Sequence, residues 1–460
     1  MSQIFPEQEA IQRATRIRDA LPQGGLFHEK SWRISPEPFH LPRSVSEEIE
    51  KLGYRLALFV KACNLLYRLS CDGRRPSWIA ELLDRGKPAE LIAYQRDRAF
   101  ANQLPRVIRP DMILTDEGFI IAELDNVPGG IGLTAWLNNA YTSVGSQVLG
   151  GPNGMLEAFR SIFPTGGDIL VSEEAATYRP EMEWLAERLN DMGEQRFRVL
   201  DVSLRNDWQT HVYRFFENFD LKNVPAADAL KTKALAGEIS ITPPFKPALE
   251  EKLWFALFWM KPLEGFWLRE LGERTMRALR KVIPYSWIMD PAPLPPHAVL
   301  PYLEIQNWME LARFSQKQRD FILKVSGFSE RAWGSRGVIV ARDVSQEQWA
   351  TAIEAALAEF PVHPWLLQKF HKGRLMEQPY VEADGTLHTL RGRVRLCPYY
   401  FLQDSQTILG GALATIVPAD KKLIHGMSTA ILAPAAAIAL LLLIFLNSIL
   451  VKLISGAILV

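Results

Sequence analysis

The chain has 460 residues, which is long enough for two or three domains with a large buried core. Lys plus Arg equals Asp plus Glu at 52 each, so no net charge draws the protein to nucleic acid. With 48% hydrophobic and 23% charged residues, the composition excludes a disordered or fibrous chain. The three cysteines lack CxxC spacing, which favours a reducing compartment and thiols that pack in the core.

Residues 1–105 are predicted to form a helical N-terminal region. The segment from Leu56 to Tyr67 repeats apolar side chains at helical spacing, which is typical of a helix with one face in the core. The predicted core face consists of Leu56, Phe59, Val60, Cys63, Leu66 and Tyr67.

Residues 106–165 begin with the most informative feature, a β-hairpin predicted over residues 109–126. A three-residue loop, residues 116–118, places Asp111 opposite Glu123 and Arg109 opposite Asp125, all on one face. The other face is predicted to carry the apolar side chains of Met112, Leu114, Ile120, Ala122 and Leu124.

Two carboxylates directly opposite each other repel unless a proton or a cation relieves the charge. A site for a hard divalent metal, most simply Mg²⁺ held by Asp111, Glu123 and Asp125, is the functional interpretation. The alternative is a solvated acidic surface beside a core.

Residues 166–245 predict a compact βαβ domain. A strand at residues 168–173 precedes a helix with Pro180 in its first turn, and a second strand returns at residues 197–202. This order indicates a parallel sheet. The GxGxxG fingerprint of a dinucleotide-binding fold is absent from the sequence.

Residues 246–425 contain a second chemical signal at Lys324, which ends an apolar strand and precedes a glycine- and serine-rich loop. Backbone N–H groups of such a loop can cover phosphates, and the lysine adds a point charge. The spacing is not that of a Walker A motif, and the alternative is an ordinary surface lysine. Neither HExxH nor GxSxG occurs, so no competing hydrolase motif stands out.

Residues 428–451 carry no charged side chain, and an apolar run of this length predicts a transmembrane helix. Basic residues precede the run, so the positive-inside bias leaves the larger N-terminal part in the cytoplasm. A buried terminal helix is the alternative.

The order of these parts resembles the circularly permuted ATP-grasp synthetase domain of the glutathionylspermidine synthetase family. That family has an Arg-x-Asp hairpin followed by Glu-x-Asn, and this chain keeps the spacing in Arg109, Asp111 and Glu123. Asp125 stands at the asparagine position, which adds a negative charge. The loop after Lys324 also departs from the Arg-Glu-Gly pattern of the family.

The resemblance implies an α/β protein in which a pre-ATP-grasp βαβ domain accompanies an ATP-grasp fold that clamps ATP between two sheets. It implies Mg²⁺ ligands at the three hairpin carboxylates and phosphate contacts from Lys252 and Lys324. It assigns the nucleotide loop to residues 327–337 and the adenine-side hinge to Gln368. The loop positions expected to contact nucleotide are Gly327, Gly334, Ser335 and Gly337.

ATP-grasp ligases phosphorylate a carboxylate to an acyl phosphate that an amine attacks, and this chemistry needs metal and fixed cations. Arg109 is expected to meet the transferring group. Arg391, Arg393 and Arg395 alternate on one strand face, and Arg393 is the central candidate for binding a substrate carboxylate. A charged edge that guards a strand is the alternative.

The sequence therefore predicts an ATP- and Mg²⁺-dependent carboxylate–amine ligase of a peptide- or polyamine-conjugating type, anchored to the membrane by its C-terminus. One rival is a catalytically inactive ATP-binding module tethered to the membrane for assembly or regulation. A membrane scaffold without nucleotide is another.

Overall fold

The computed structural model of the protein describes residues 5–28, 30–332, 336–404, 406–420 and 428–438. The α-helices are α1 Glu7–Asp19, α2 Arg43–Cys71, α3 Trp78–Asp84, α4 Ala89–Arg96, α5 Ile131–Ser143, α6 Gly154–Ser161, α7 Arg179–Asp191, α8 Ala227–Leu235, α9 Trp254–Trp259, α10 Glu264–Leu271, α11 Glu273–Val282, α12 Trp308–Leu311 and α13 Gln346–Glu359.

The strands are β1 Phe39–Leu41, β2 Val107–Thr115, β3 Gly118–Asp125, β4 Gly166–Val171, β5 Arg196–Leu200, β6 His211–Phe215, β7 Ser240–Thr242, β8 Ser286–Ile288, β9 Phe321–Val325, β10 Val338–Val340, β11 Trp365–Lys369, β12 Leu375–Val381, β13 Leu387–Gln403, β14 Gln406–Pro418 and β15 Ile431–Ala437. They form three sheets, so the protein is of the mixed α/β class that the sequence predicts.

The largest sheet has seven strands in the order β1-β15-β14-β13-β2-β3, and β12 also pairs with β13. The early hairpin thus completes a sheet that is otherwise built mainly from late strands. Helix α2 packs against this sheet so closely that a Cβ on Gly53 would lie 2.4 Å from the ring of Tyr400. The predicted apolar face of α2, from Leu56 to Tyr67, is buried, which confirms that prediction.

The second sheet is parallel, with the order β5-β4-β6-β7, and helix α7 connects β4 to β5. This arrangement confirms the predicted βαβ unit. Pro180 lies in the first turn of α7, where its missing N–H costs no helical hydrogen bond.

The third sheet is antiparallel, with the order β10-β9-β11-β8. Strand β9 carries Lys324, and β11 carries Gln368 directly opposite Ile322. Helix α13 packs on this sheet through Trp349 and Ile353, both fully buried. The strand predicted to end at Lys324 is therefore confirmed.

The predicted transmembrane helix over residues 428–451 is wrong in its first part. Residues 431–437 form β15, which pairs with β14 on one side and with β1 on the other. Ile431, Ala433 and Ala435 are fully buried there. A central strand that is covered on both faces is as apolar as a membrane helix, so hydropathy did not separate the two. Residues 439–451 lie outside the described residues.

Helices long and apolar enough to span a bilayer are absent from the described part of the chain.

Candidate functional site

The hairpin of β2 and β3 places Arg109 opposite Asp125 and Asp111 opposite Glu123, which confirms the predicted pairing. The predicted loop is wrong, because Thr115 pairs with Gly118 and only residues 116–117 form the turn. The shorter turn alone would shift the pairing of β2 with β3 by one residue. A β-bulge restores the predicted pairing: Met112 pairs with Ile121 and Asp111 with Glu123, so Ala122 is an extra residue in β3.

The bulge also changes which side chains face the core. Ile121, rather than the predicted Ile120, lies beside Met112, and both Ile121 and Met112 are fully buried. The bulged residue is left out of the regular ladder, which frees the carbonyl of Ala122 for a contact outside the hairpin.

Arg109 joins two of the predicted metal ligands. Its Nη2 lies 3.0 Å from Asp111 Oδ1 and 2.9 Å from Asp125 Oδ2. Arg395 contacts the other oxygen of Asp111, with 3.2 Å between its Nη1 and Asp111 Oδ2. The thiol of Cys397 donates to Asp111 Oδ1 at 3.4 Å.

The two carboxylates differ in proton affinity although they share one guanidinium. Burial opposes the charge of Asp111, but Arg109 and Arg395 outweigh burial and lower the pKa of this carboxyl. For Asp125, burial prevails over Arg109 and raises the pKa. Asp111 is therefore held as the anion more firmly than Asp125.

Glu123 is engaged by a different cation. Lys252 Nζ lies 2.5 Å from Glu123 Oε1 and donates to the carbonyl of Ala332 at 3.0 Å. Burial works against the charge of Lys252, yet Glu123 raises the pKa of the ammonium overall. Lys252, which was predicted to contact phosphate, and Glu123, which was predicted to bind the metal, are thus paired with each other.

Lys324 lies between the antiparallel sheet and the hairpin. Its Nζ donates to the bulge carbonyl of Ala122 at 2.6 Å and to Gln368 Oε1 at 2.9 Å. Gln368 Nε2 in turn donates to Ser286 Oγ at 3.4 Å. Burial lowers the pKa of Lys324 to about 8.

These contacts decide whether the residues fit the implied cofactors in this arrangement. Among the described residues, no three His, Cys, Asp or Glu side chains are placed to hold a metal ion together. The hairpin carboxylates are of the right chemistry for Mg²⁺, but each one accepts from Arg109, Arg395 or Lys252 instead.

The gap beside Lys324 does not fit an adenine nucleotide either. The cavity that Glu123, Lys252, Lys324 and Leu366 line has a volume of about 20 Å³. This is little more than the volume that one water needs. Nucleotide binding between these sheets therefore requires the contact between Lys324 and Ala122 to open.

Two glycines of the predicted nucleotide loop, Gly327 and Gly337, lie where neighbouring atoms leave no room for a side chain. A Cβ on Gly327 would lie 2.0 Å from the carbonyl oxygen of Glu250, and Gly327 N donates to Glu251 Oε2 at 3.2 Å. A Cβ on Gly337 would lie 2.4 Å from Val325 Cγ1. Gly334 and Ser335 lie outside the described residues.

A cavity of about 410 Å³ lies in front of the acidic hairpin, and we call it the acidic cavity. Arg109, Asp111, Glu123, Asp125 and Arg395 line it from the seven-stranded sheet. The parallel-sheet region adds lining residues that the sequence did not indicate, namely Tyr178, Phe215, Glu217 and Asp220.

Of the alternating arginines, Arg395 borders this cavity. Arg393 Nη1 donates instead to the carbonyl of Ala419 at 2.5 Å, and Arg391 is exposed. The side chains share a strand face as predicted, but a two-residue step along a strand moves the guanidinium by roughly 6–7 Å.

Half-buried Glu217, which lines the cavity, and fully buried Glu181 were also not indicated by the sequence. Burial, with Glu250 and Asp125 nearby, raises the pKa of Glu217 well above its usual range. Glu181 accepts from the backbone N–H groups of Gly130 and Leu133, each at 2.8 Å, at the start of α5. Burial raises its pKa to about 7. Since both glutamates lie far from the hairpin in sequence, no local motif could have indicated them.

Neither a protein-family model nor a curated protein matches the sequence. Among solved structures, the chain is similar to a glutathione synthetase-like effector from Globodera pallida in its apo form. The TM-score is 0.56 at 12% sequence identity, and the alignment covers 94% of this chain and 98% of that chain.

A protein named as a gamma-glutamylcysteine synthetase, from Methylobacillus flagellatus, aligns with a TM-score of 0.36 at 13% identity, over 80% of this chain and 86% of that chain. This second score is too low to carry an argument. The first comparison shows that the chain shares its overall fold with that effector. The narrower resemblance to glutathionylspermidine synthetase stays a prediction.

Proposed function

We propose that the protein is an ATP-dependent ligase that joins a carboxylate to an amine, with a peptide or polyamine as the conjugated partner. One observation carries the proposal: Asp111, Glu123, Asp125 and Arg109 meet on one wall of the acidic cavity. Ligation brings several anions together, and a wall of carboxylates with matched cations suits the metal and phosphate charges involved.

The fold supports the same proposal, because it is shared with a protein whose name marks it as glutathione synthetase-like. In the proposed enzyme the hairpin carboxylates would bind Mg²⁺, and Lys252 and Lys324 would contact the phosphates of ATP. Gln368 and the loop at residues 327–337 border the nucleotide. Arg109 and Arg395 line the cavity from the seven-stranded sheet and are the arginines proposed for a substrate carboxylate.

The proposal requires a second arrangement of these side chains. Arg109 and Lys252 have to release carboxylates that they now hold, and Lys324 has to leave the carbonyl of Ala122. Exchange of cations is chemically reasonable, since a protein cation and a metal ion compensate the same negative charge.

The test is ADP release by the full chain with Mg²⁺, ATP and pooled amino acids, short peptides and polyamines. The proposal expects release that depends on both a carboxylate and an amine and falls at least a hundredfold in Asp111→Asn. Asp116→Asn is the matched control, because Asp116 lies in the exposed turn of the same hairpin. Equal rates in both variants, or no release with any pool, would overturn the proposal.

A second candidate is a nucleotide-binding protein without turnover, and the ion pairs that Arg109, Arg395 and Lys252 form with the predicted metal ligands favour it. A ligand that binds only the native state raises the melting temperature. A shift with Mg²⁺ and ATP but no ADP release would support this candidate. An unchanged melting temperature would instead favour a protein that binds no nucleotide.

A further inference from the structure

A second cavity, which we call the inner cavity, lies on the same face of the seven-stranded sheet and has a volume of about 310 Å³. Strands β13 and β14 form its floor, and Lys30 and Trp32 from the segment before β1 border it. It shares Lys30, Arg109 and Arg395 with the acidic cavity, so the two spaces meet at these cations.

The inner cavity differs from the acidic cavity in charge. Its described lining residues include three cations, Lys30, Arg109 and Arg395, and no carboxylate. Arg109 is compensated by Asp111 and Asp125, and Arg395 by Asp111, so the two guanidinium groups add little net charge. Lys30 has no carboxylate within ion-pair distance among the described residues and lies 4.6 Å from the ring centroid of Tyr178. The inner cavity therefore favours an anion.

Three polar atoms at the inner cavity are buried without a hydrogen-bond partner in the described part of the chain: Trp32 Nε1, Arg395 Nε and Thr415 Oγ1. Thr415 is only 1% exposed, and it lies directly opposite Arg395 across β13 and β14. Buried polar groups are nearly always paired. An acceptor held in the inner cavity, on a ligand or a water, would satisfy these donors if the side chains turned toward it.

The remaining lining of the inner cavity combines an apolar surface, formed by Phe27, Leu133, Leu413 and Leu432, with the hydroxyl-bearing residues Ser31, Tyr399 and Ser428. Its volume is at the lower end of small-molecule sites, which hold roughly 300–1,000 Å³. Inorganic phosphate would satisfy the donors but would leave this apolar surface without contacts.

We infer that the inner cavity binds a small organic carboxylate with an apolar body, of the size of an N-acylated hydrophobic amino acid. The carboxylate accepts from Arg395, Thr415 and Trp32, with Lys30 nearby. This inference rests on the proposed function in one respect: it names the class of the carboxylate substrate, which lies beside Arg109 and the acidic wall.

The test is calorimetric binding to the full chain without ATP, using N-acetyl-leucine, N-acetyl-phenylalanine, their neutral amides and inorganic phosphate. The expected result is binding of at least one carboxylate, at least tenfold weaker for its amide and for phosphate. Thr415→Val and Trp32→Phe should each weaken binding about tenfold, as expected for loss of one hydrogen bond to a charged group. Lys51→Met on α2, which is exposed, is the control.

Thr415→Val has a second readout that a structural role would not give. Since Thr415 Oγ1 is buried without a partner, valine should leave the melting temperature of the free protein unchanged or raise it, while it weakens the ligand. Binding that is equal for acid and amide, equal for phosphate, undetectable for both acids, or unchanged in both variants would overturn the inference.

The inference and the proposed function fail separately. Carboxylate binding without any ADP release would leave the inference standing and overturn the ligase. Carboxylate-dependent ADP release would support the ligase. If the KM for the carboxylate were the same in Thr415→Val and Trp32→Phe as in the unmodified protein, the inference about the inner cavity would be overturned.

Discussion

Lys324→Met tests whether the gap between the antiparallel sheet and the hairpin is closed in solution. In the closed arrangement the ammonium is buried against the carbonyl of Ala122 and the amide of Gln368. Methionine keeps much of the side-chain volume but removes the charge and its proton equilibrium.

The magnitude follows from the pKa of Lys324. Burial lowers it from 10.5 to about 8, so the folded state binds the proton more weakly than the unfolded chain does. This costs roughly 3 kcal/mol of stability at pH 7, where both states are protonated, and about 1 kcal/mol at pH 10. Stability of the unmodified protein should therefore gain about 2 kcal/mol from this group between pH 7 and pH 10.

Lys324→Met should lack this gain, so its free energy of unfolding relative to the unmodified protein should fall by about 2 kcal/mol over the same interval. Urea denaturation at both pH values measures the difference. The two lost contacts with Ala122 and Gln368 shift both values equally and cancel. Lys51→Met, at an exposed position, should show no such change. A pH-independent difference for Lys324→Met would mean that Lys324 is hydrated and the gap is open.

Three further predictions concern other parts of the structure. The folded state holds the Glu181 proton more tightly than the unfolded chain does, so the unmodified protein should lose up to roughly 3 kcal/mol of stability as the pH rises from 4.5 to about 7. Glu181→Gln should not show this loss. If the free energies of unfolding of the two proteins, measured by urea denaturation, change in parallel with pH, the prediction is wrong. Arg214→Met should lower the free energy of unfolding, measured by urea denaturation, by about 3–5 kcal/mol, because Glu250, whose Oε1 lies 2.5 Å from Arg214 Nη2, loses its cation. The double variant Arg214→Met with Glu250→Gln should recover part of this stability. If the single and double variants are equally destabilised, the pairing is refuted. Ala433→Asp should abolish cooperative thermal unfolding or lower the melting temperature by more than 10 °C, since it buries an unpaired charge in β15, whereas an unchanged melting temperature would show that residues 431–437 are not a core strand.

The hairpin shows how far sequence patterns reach. Alternation predicted which carboxylates lie opposite each other, and the pairing of Asp111 with Glu123 is confirmed. The turn and the bulge at Ala122 were not predicted, because one extra residue in the turn and one extra residue in the strand give the same pairing. The missing detail matters for the site, since the bulge supplies the carbonyl that Lys324 contacts.

Other features depend on tertiary contacts that no local pattern contains. The ion pair from Lys252 to Glu123 joins residues that are close in space but remote in the chain. The inner cavity combines Trp32 with Thr415, whose neighbourhood is set by the sheet order rather than by spacing. Hydropathy likewise reports burial but not whether a helix or a strand is buried, which explains the error at residues 431–437.

The pairing of β1 with β15 has a consequence for how the protein acquires its structure. These strands come from opposite ends of the chain and lie side by side in parallel, with Phe39 next to Ala435. The edge of the main sheet can therefore form only after the ribosome has made residues 431–437, long after it has made β1. Contacts so remote in sequence slow the search for the native state. Until then, the apolar surface that awaits β15 is exposed to chaperones or to self-association.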